Sequence, residues 1–379
     1  MIWLYEPGCY SAFDAWERHV IDEVRPWRAI FVTSADFDND GDQDIGAGAW
    51  WYVNPGLISA PWIRLEFGGN FKNLAAAYDF DQDGDIDVLG TEGEGSTENS
   101  NFIWASNDGE GAFSLFDNID EAKGDFLQGI AVSAFEETGN IQIALSWHQA
   151  DQGLQLLTVP ERPQEAQWSW QQISPEAQDE ALSAEDIDRD GNIDLLLGTI
   201  WMENSNSEWL PHTISERAAA PDRNRLVDLN KDGRLDAIIG YENAGNAAVP
   251  LAWYEQPATA SDLWTEHIIA DLIGPMSLDV RDMDHDGDWD IIVGEHNLEA
   301  SETSRLLIYE NLDGVGGVWN EHLVYQGDEH HNGAHVADLD GDGDFDIVSI
   351  GWNHDQVIVY ENIAEMCSPP DTFLPIIRR

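Results

Sequence analysis

Apolar residues are spread along this chain in short runs, never in long or helically spaced blocks. Four kinds of run recur in a fixed order. The first is small and branched, as in "AIFVTSA", "LAAAY", "GIAVSA", "LVD", "SLDV" and "AHVA". A polar, acidic segment follows, and then a second run rich in Ile, Val and Leu that often closes on Gly. The third carries a Tyr or Trp and ends on a polar turn, as in "AWWYVNP", "LAWYEQP", "LLIYEN" and "VIVYEN". The fourth reads Trp-x-x-His-x-apolar, as in "WERHVI", "WLPHTI", "WTEHII" and "WNEHLV". Branched and aromatic runs between Gly, Asn and Asp turns predict strands, and no amphipathic helix interrupts them. Four short antiparallel strands per unit is the pattern of a propeller blade.

The acidic segments align the units. They read "DFDNDGDQDIGAG" from Asp36, "DFDQDGDIDVLG" from Asp79, "DIDRDGNIDLLLG" from Asp186, "DLNKDGRLDAIIG" from Asp228, "DMDHDGDWDIIVG" from Asp282 and "DLDGDGDFDIVSIG" from Asp338. A seventh, "AFEETGNIQIAL" from Ala134, keeps the frame but has lost most of the acids. Seven units of some 40 to 60 residues predict an all-β, seven-bladed propeller. It is expected to fill residues 1–366, with a tail at 367–379. The last unit supplies only three strands, ending in "VIVYENI", while "WERHVI" at the other end of the chain is a fourth strand without a blade. Pairing the two closes the ring. That closure places Cys9 and Cys367 at one end of the blade, in position for a disulfide, the alternative being two free thiols. By the loop-entropy argument such a staple is worth about 5 kcal/mol or less. The opening "MIWLYEP" reads as a further strand with no assigned place.

Five carboxylates at every second position repel one another unless a cation sits among them. In Asp-x-Asp-x-Asp-Gly-x-x-Asp the side chains at positions 1, 3, 5 and 9 and the carbonyl at position 7 can wrap one hard ion, and Gly at position 6 permits the turn. Calcium, which takes six to eight oxygens in a flexible loop, suits this set better than magnesium. The expected ligands are Asp36, Asp38, Asp40, Asp42 and Asp44 in the first loop and Asp79, Asp81, Asp83, Asp85 and Asp87 in the second. They continue with Asp186, Asp188, Asp190, Asn192 and Asp194, then Asp228, Asn230, Asp232, Arg234 and Asp236. Asp282, Asp284, Asp286, Asp288 and Asp290 follow, and Asp338, Asp340, Asp342, Asp344 and Asp346 complete the series. The loop at Ala134, with Thr138 and Gln142 at ligand positions, is expected to bind no calcium, so about six ions are expected in all. The units resemble the FG-GAP or VCBS repeats of integrin-α-like β-propellers over nearly the whole chain. That resemblance implies calcium on one face and ligand binding often on the other; it leaves adhesin, lectin-like protein and carbohydrate-active enzyme all open.

Charge narrows the partners. A formal net charge of −56 disfavours nucleic acid and anionic membrane surfaces, which it would repel. The six motifs hold well under half of the 73 acidic residues, so the acidity is a property of the whole surface. It fits an extracellular or cell-surface setting. No apolar run is long enough to insert in a membrane.

The acidic loops join first to second strands, so the loops from second to third strand and from blade to blade share the opposite face. That face is expected to collect Trp50, Trp51, Glu92, Glu94, Trp147, His148, Trp201, Glu203, Tyr241, Glu242, Glu295, His296, Trp352 and His354. The loop "GDEHHNGAH" adds His330, His331 and His335. By contrast His19, His212, His267 and His322 recur in the fourth strand and read as scaffold, and His285 lies at a non-ligand position of an acidic loop. Trp50, Trp51, Trp147, Trp201, Tyr241, Glu242 and Trp352 are the candidates for ligand contact, since rings stack on sugar faces and carboxylates fix hydroxyls. His148, His296, His330, His331, His335, His354, Glu92 and Glu295 are the candidates for catalysis. A His and Glu pair suits a lyase or dehydratase, and converging histidines suit an additional transition metal. The residues differ from blade to blade, which favours one asymmetric site. Binding of an extracellular carbohydrate or surface protein is the leading expectation. A carbohydrate-active enzyme and a structural or adhesion domain of a larger surface protein are the alternatives.

Overall fold

A computed structural model describes residues 13–364 except 95–100, 137–138, 176, 179–180, 206–207 and 243–246. Cys9 and Cys367, expected to pair, Thr138, and the opening segment through residue 7 lie outside the described residues.

Seven four-stranded antiparallel sheets form the molecule. Blade one runs from β2 (Val32–Ala35) through β3 (Asp44–Ala47) and β4 (Trp50–Val53) to β5 (Ile63–Glu66), and blade two from β6 (Asn73–Tyr78) to β9 (Phe113–Phe116). Blade three spans β10 (Leu127–Ser133) to β13 (Ser169–Ser174), and blade four β14 (Ser183–Glu185) to β17 (Glu208–Thr213). Blade five spans β18 (Pro221–Val227) to β21 (Thr265–Leu272), and blade six β22 (Pro275–Arg281) to β25 (Trp319–Gln326). Blade seven has β26 (His335–Ala337), β27 (Asp346–Ile350) and β28 (Val357–Asn362), and its outer strand is β1 (Trp16–Asp22) from the other end of the chain. The expected closure is present, with Trp16 opposite Asn362 and His19 opposite Val359. Two three-residue 3-10 turns are the helical content among the described residues, and no described helix is long and apolar enough to cross a membrane.

Blade packing explains the sequence pattern. Second and third strands lie between neighbouring blades, so both of their faces are covered and they read as continuous apolar runs. β27 is buried at every position. The outermost strands face water, and β5 is exposed throughout. The core consists of layers shared by adjacent blades. Ile45 and Tyr52 of blade one pack with Val348 and Val359 of blade seven, which makes ring closure part of the core.

Candidate functional site

Each of the six acidic segments folds into the same loop. The last Asp of the motif, at the start of the second strand, is the clamp. Asp44 accepts the Phe37 N–H at 3.0 Å and the Asn54 N–H at 2.8 Å, tying the loop to the end of the third strand. Asp87, Asp194, Asp236, Asp290 and Asp346 accept the equivalent pairs of N–H groups. Burial pushes these carboxyls up, against the pull of their backbone donors, to about 7 for the first five and about 8 for Asp346. The fourth residue of the loop is left-handed in every copy: Asn39, Gln82, Arg189, Lys231, His285 and Gly341 have φ between 56° and 73°.

Donor atoms converge in these loops. Oxygens of Asp79, Asp81 and Asp87 lie within 4.8 Å of one another, as do those of Asp186, Asp188 and Asp194, of Asp282, Asp284 and Asp290, and of Asp36, Asp38 and Asp40. Every one of the six loops also holds a buried carboxylate oxygen with no hydrogen-bond donor. These are Oδ1 of Asp38, Asp81, Asp186, Asp228, Asp282 and Asp344. An unpaired carboxylate oxygen out of water is costly, and a hard cation is the partner that this oxygen set fits.

On the opposite face, the loop into blade seven and the ends of blades six and seven build a compact polar cluster. Glu329 lies at its centre, 1% exposed. It accepts from His296 Nδ1 and from the N–H groups of Trp352 at 2.7 Å and Asn353 at 2.9 Å. Burial pushes this carboxyl up, but the His296 contact and the backbone donor outweigh it and hold it down at about 2. The His331 ring lies edge-on to His296 at 4.6 Å and against Trp352 at 4.7 Å. The Arg28 guanidinium covers one face of Trp352 at 3.6 Å. His354 Nε2 meets the Glu329 carbonyl at 3.0 Å, a close approach that needs Gly351, since a Cβ there would sit 2.2 Å from that nitrogen. His330 is fully buried with Nδ1 on Ser349 Oγ at 2.7 Å, and burial lowers its pKa to about 4.

The expected face therefore divides. His296, His330, His331, Trp352 and His354 come together around Glu329, which the sequence does not single out because it is one acid among many and its burial depends on the neighbouring blades. Glu295 is adjacent but occupied, holding Arg305 through two side-chain bonds of 2.7 and 2.9 Å. His335 lies apart, on the channel wall, with Nε2 on Ser34 Oγ at 2.9 Å. His148 pairs with Asp125 at 3.2 Å over the Phe126 ring, and Glu92 is exposed, both away from the cluster. The aromatic candidates are corrected. Trp50, Trp51, Trp147, Trp201 and Tyr241 are at most 2% exposed, packed between sheets because their strands are covered on both faces, so none offers a surface platform. Glu242 is half-buried at the start of its loop, its N–H on the Ala220 carbonyl. Glu203 is on the other side, paired with His212 at 2.7 Å beside the Asp188 loop. That pairing recurs as His19 with Glu361, His267 with Glu255 and His322 with Glu310, so the fourth-strand histidines are scaffold, as their recurrence implies.

The FG-GAP-like repeat family matches residues 228–293, from the fifth unit's acidic loop into blade six. No curated protein sequence matches the chain. Among solved structures, BBS1N, determined in complex with ARL6DN, superposes with a TM-score of 0.53 at 10% identity, over 92% of this chain and 97% of that one. Bap1, a V. cholerae biofilm matrix protein, gives 0.48 at 12% identity over 90% and 88%. A rhamnogalacturonan lyase of Bacillus licheniformis gives 0.45 at 12% over 95% and 74%. At such identities the likeness is one of fold.

Proposed function

The chain is a seven-bladed β-propeller carrying an FG-GAP-like repeat, and from that premise we propose that it is a calcium-stabilised binding protein whose ligand face lies opposite the acidic loops. The six buried, unpaired carboxylate oxygens, one per loop, are the observation that carries the calcium part. Side chains at positions 1, 3, 5 and 9, all carboxylates except Asn230 in blade five, and the carbonyl at position 7 would hold the ion, and its charge would keep the clamp Asp ionised where burial favours protonation. Affinities of extracellular calcium modules suit such open, solvent-facing loops, and the strongly acidic surface fits the same setting.

The ligand reading rests on the Glu329 cluster. Its polar groups are gathered at the junction of blades six, seven and one, with no equivalent described in the other blades, so one site rather than seven is expected. Its half-exposed ring and hydrogen-bonding groups suit an extracellular carbohydrate, with a surface protein as the other class of ligand. A second reading is favoured by one contact. A buried, ionised carboxylate on Nδ1 orients His296 as such groups orient a general base, which a lyase-type enzyme would use.

Elemental analysis of protein purified without chelator is expected to give about six calcium ions per chain, and one fewer in Asp340→Ala. Metal-free protein with an unchanged melting temperature in chelator would overturn the calcium part. A glycan array in calcium buffer tests the face. Binding should be lost in His331→Ala, and turnover of a bound glycan that disappears in His296→Gln would move the reading to the enzyme.

A further inference from the structure

The first strands of the blades line a channel on the propeller axis, and its mouth opposite the acidic loops holds a cavity of about 190 Å³. Six of the seven blades contribute to its wall at the points where their first strands begin. Two polar side chains on this wall are more than nine-tenths buried and incomplete. Gln128 is 4% exposed and its Oε1 has no hydrogen-bond donor; Asn332 is 7% exposed and its Nδ2 has no acceptor. Asn332 is held with this N–H group free because its Oδ1 accepts from Arg223 Nη2 at 2.7 Å. A buried amide without its hydrogen bond is unfavourable unless a ligand or water completes it.

Charge adds a direction. In a chain with 17 basic residues against 73 acidic ones, Arg223 and Arg225 both line this mouth from the first strand of blade five. Asp279 fixes Arg225 through Nε at 3.2 Å, and the Asn224 carbonyl takes its Nη1 at 2.9 Å. These contacts orient a guanidinium whose Nη2 makes no protein hydrogen bond among the described residues. Between the polar groups the wall is apolar, with Ile130, Leu182 and Leu278.

We propose that the channel mouth binds a monosaccharide-sized hydroxy acid, a hexuronate in its chemistry. Its carboxylate takes N–H groups of Arg225 and Asn332, and a hydroxyl donates to Gln128 Oε1. The C–H face of the ring lies against Ile130, Leu182 and Leu278. A guanidinium in a low-dielectric cleft prefers a carboxylate to a neutral oxygen, and the unmet acceptor of Gln128 asks for a hydroxyl. The cavity volume of about 190 Å³ suits a single sugar ring, and the acidic exterior repels a polyanion more strongly than a monoanion. This assignment rests on the reading that the face opposite the loops binds carbohydrate; it adds the channel mouth, next to the Glu329 cluster, as a part of that face that takes an acidic sugar.

Calorimetry on the full, calcium-loaded chain tests it with D-glucuronate, D-glucose, cyclohexanecarboxylate and sulfate as probes. Glucuronate is expected to bind at least about tenfold more tightly than glucose, because the difference is a charge-assisted hydrogen bond. Arg225→Gln should erase that preference. Should Arg225→Gln fail to fold with Asp279 left unpaired, Gln128→Met supplies the second test: it should weaken glucuronate and leave cyclohexanecarboxylate, which has no hydroxyl, unchanged. Equal binding of glucuronate and glucose, sulfate binding as tightly as glucuronate, or glucuronate binding unaffected by either substitution would overturn the assignment. If glucuronate does not bind while neutral glycans on the array do, the acidic-sugar assignment falls and the broader reading stands. If no glycan of either kind binds, both fall.

Discussion

Two neighbours in the loop into blade seven give the molecule an acid-sensitive point. Glu329 ionises at about 2 in the folded chain against 4.5 in model peptides, so its contribution is complete above pH 4.5 and is lost as pH falls toward 2. The shift corresponds to roughly 3 kcal/mol. His330 is depressed to about 4 from 6.5. The unfolded chain therefore takes up its proton first, and stability is lost as pH falls from 6.5 to 4. Urea unfolding in saturating calcium should show both windows as differences between profiles. His330→Gln is expected to lose the decline between 6.5 and 4, and Glu329→Gln the decline below 4.5; parallel profiles would refute the assignment. The same scale shows where reading the sequence fails. Trp51 and Trp147 vary between units as functional residues do, yet Trp51 packs edge-on against Phe37 at 5.8 Å, and Trp147 covers Gly124 so closely that a Cβ there would lie 1.9 Å from the indole. Which residue of a covered strand meets which neighbour depends on the adjacent blade, and one unit's sequence does not contain it.

At the scale of the element, the acidic loop is the part most legible in the sequence, since its ligand spacing, its Gly and the strand that follows are all local. The connections between loops are less so. Asn39 Nδ2 donates to Asp85 Oδ1 at 2.7 Å, Arg189 donates to the Gly233 carbonyl, Lys231 pairs with Asp288, and His285 Nε2 meets the Gly343 carbonyl at 2.9 Å. Each comes from the left-handed fourth residue of one loop and ends on the loop of the next blade. The degenerate loop of blade three and Gly341 in blade seven interrupt this belt. A side chain that looks like a solvated spacer is thus a bridge, visible only when neighbouring blades are set side by side. His285→Ala is expected to cost about 0.5 to 1.5 kcal/mol, one hydrogen bond, by chemical denaturation. Asp194→Ala is far more severe, because the Ile187 and Asn204 N–H groups lose their acceptor inside the protein. About 2 to 5 kcal/mol is expected, and a loss under 1 kcal/mol would mean that water replaces the clamp.

For the molecule as a whole, closing the ring joins elements more than 330 residues apart. Strand β1 does this with its backbone and with three side chains. Arg18 Nη2 reaches Asp328 at 3.0 Å, His19 meets Glu361 at 2.6 Å, and Asp22 accepts from Tyr52 of blade one at 2.9 Å. The closure was legible because a three-strand unit at one end and an orphan Trp-x-x-His strand at the other complete each other by the internal repeat alone. Which residues share the face opposite the acidic loops was legible from topology, while the grouping around Glu329 and Gln128 was not, because it depends on their burial. Removing residues 1–22 would leave the edge of β28 (Val357–Asn362) open, with the N–H and C=O groups that now pair with β1 unsatisfied and a run of apolar side chains beside them. Such an edge recruits another strand. The truncated chain is therefore expected to melt well below the full one and to self-associate in sedimentation, and a peptide of residues 13–24 added in trans should restore both monomer and melting temperature. Because β1 belongs to the outer, half-buried layer while the shared cores of the other blades are intact, the truncated chain should keep the five acidic loops of blades one, two, four, five and six. A monomer with an unchanged melt would show that the ring is closed by the packing of blade on blade and that β1 is dispensable.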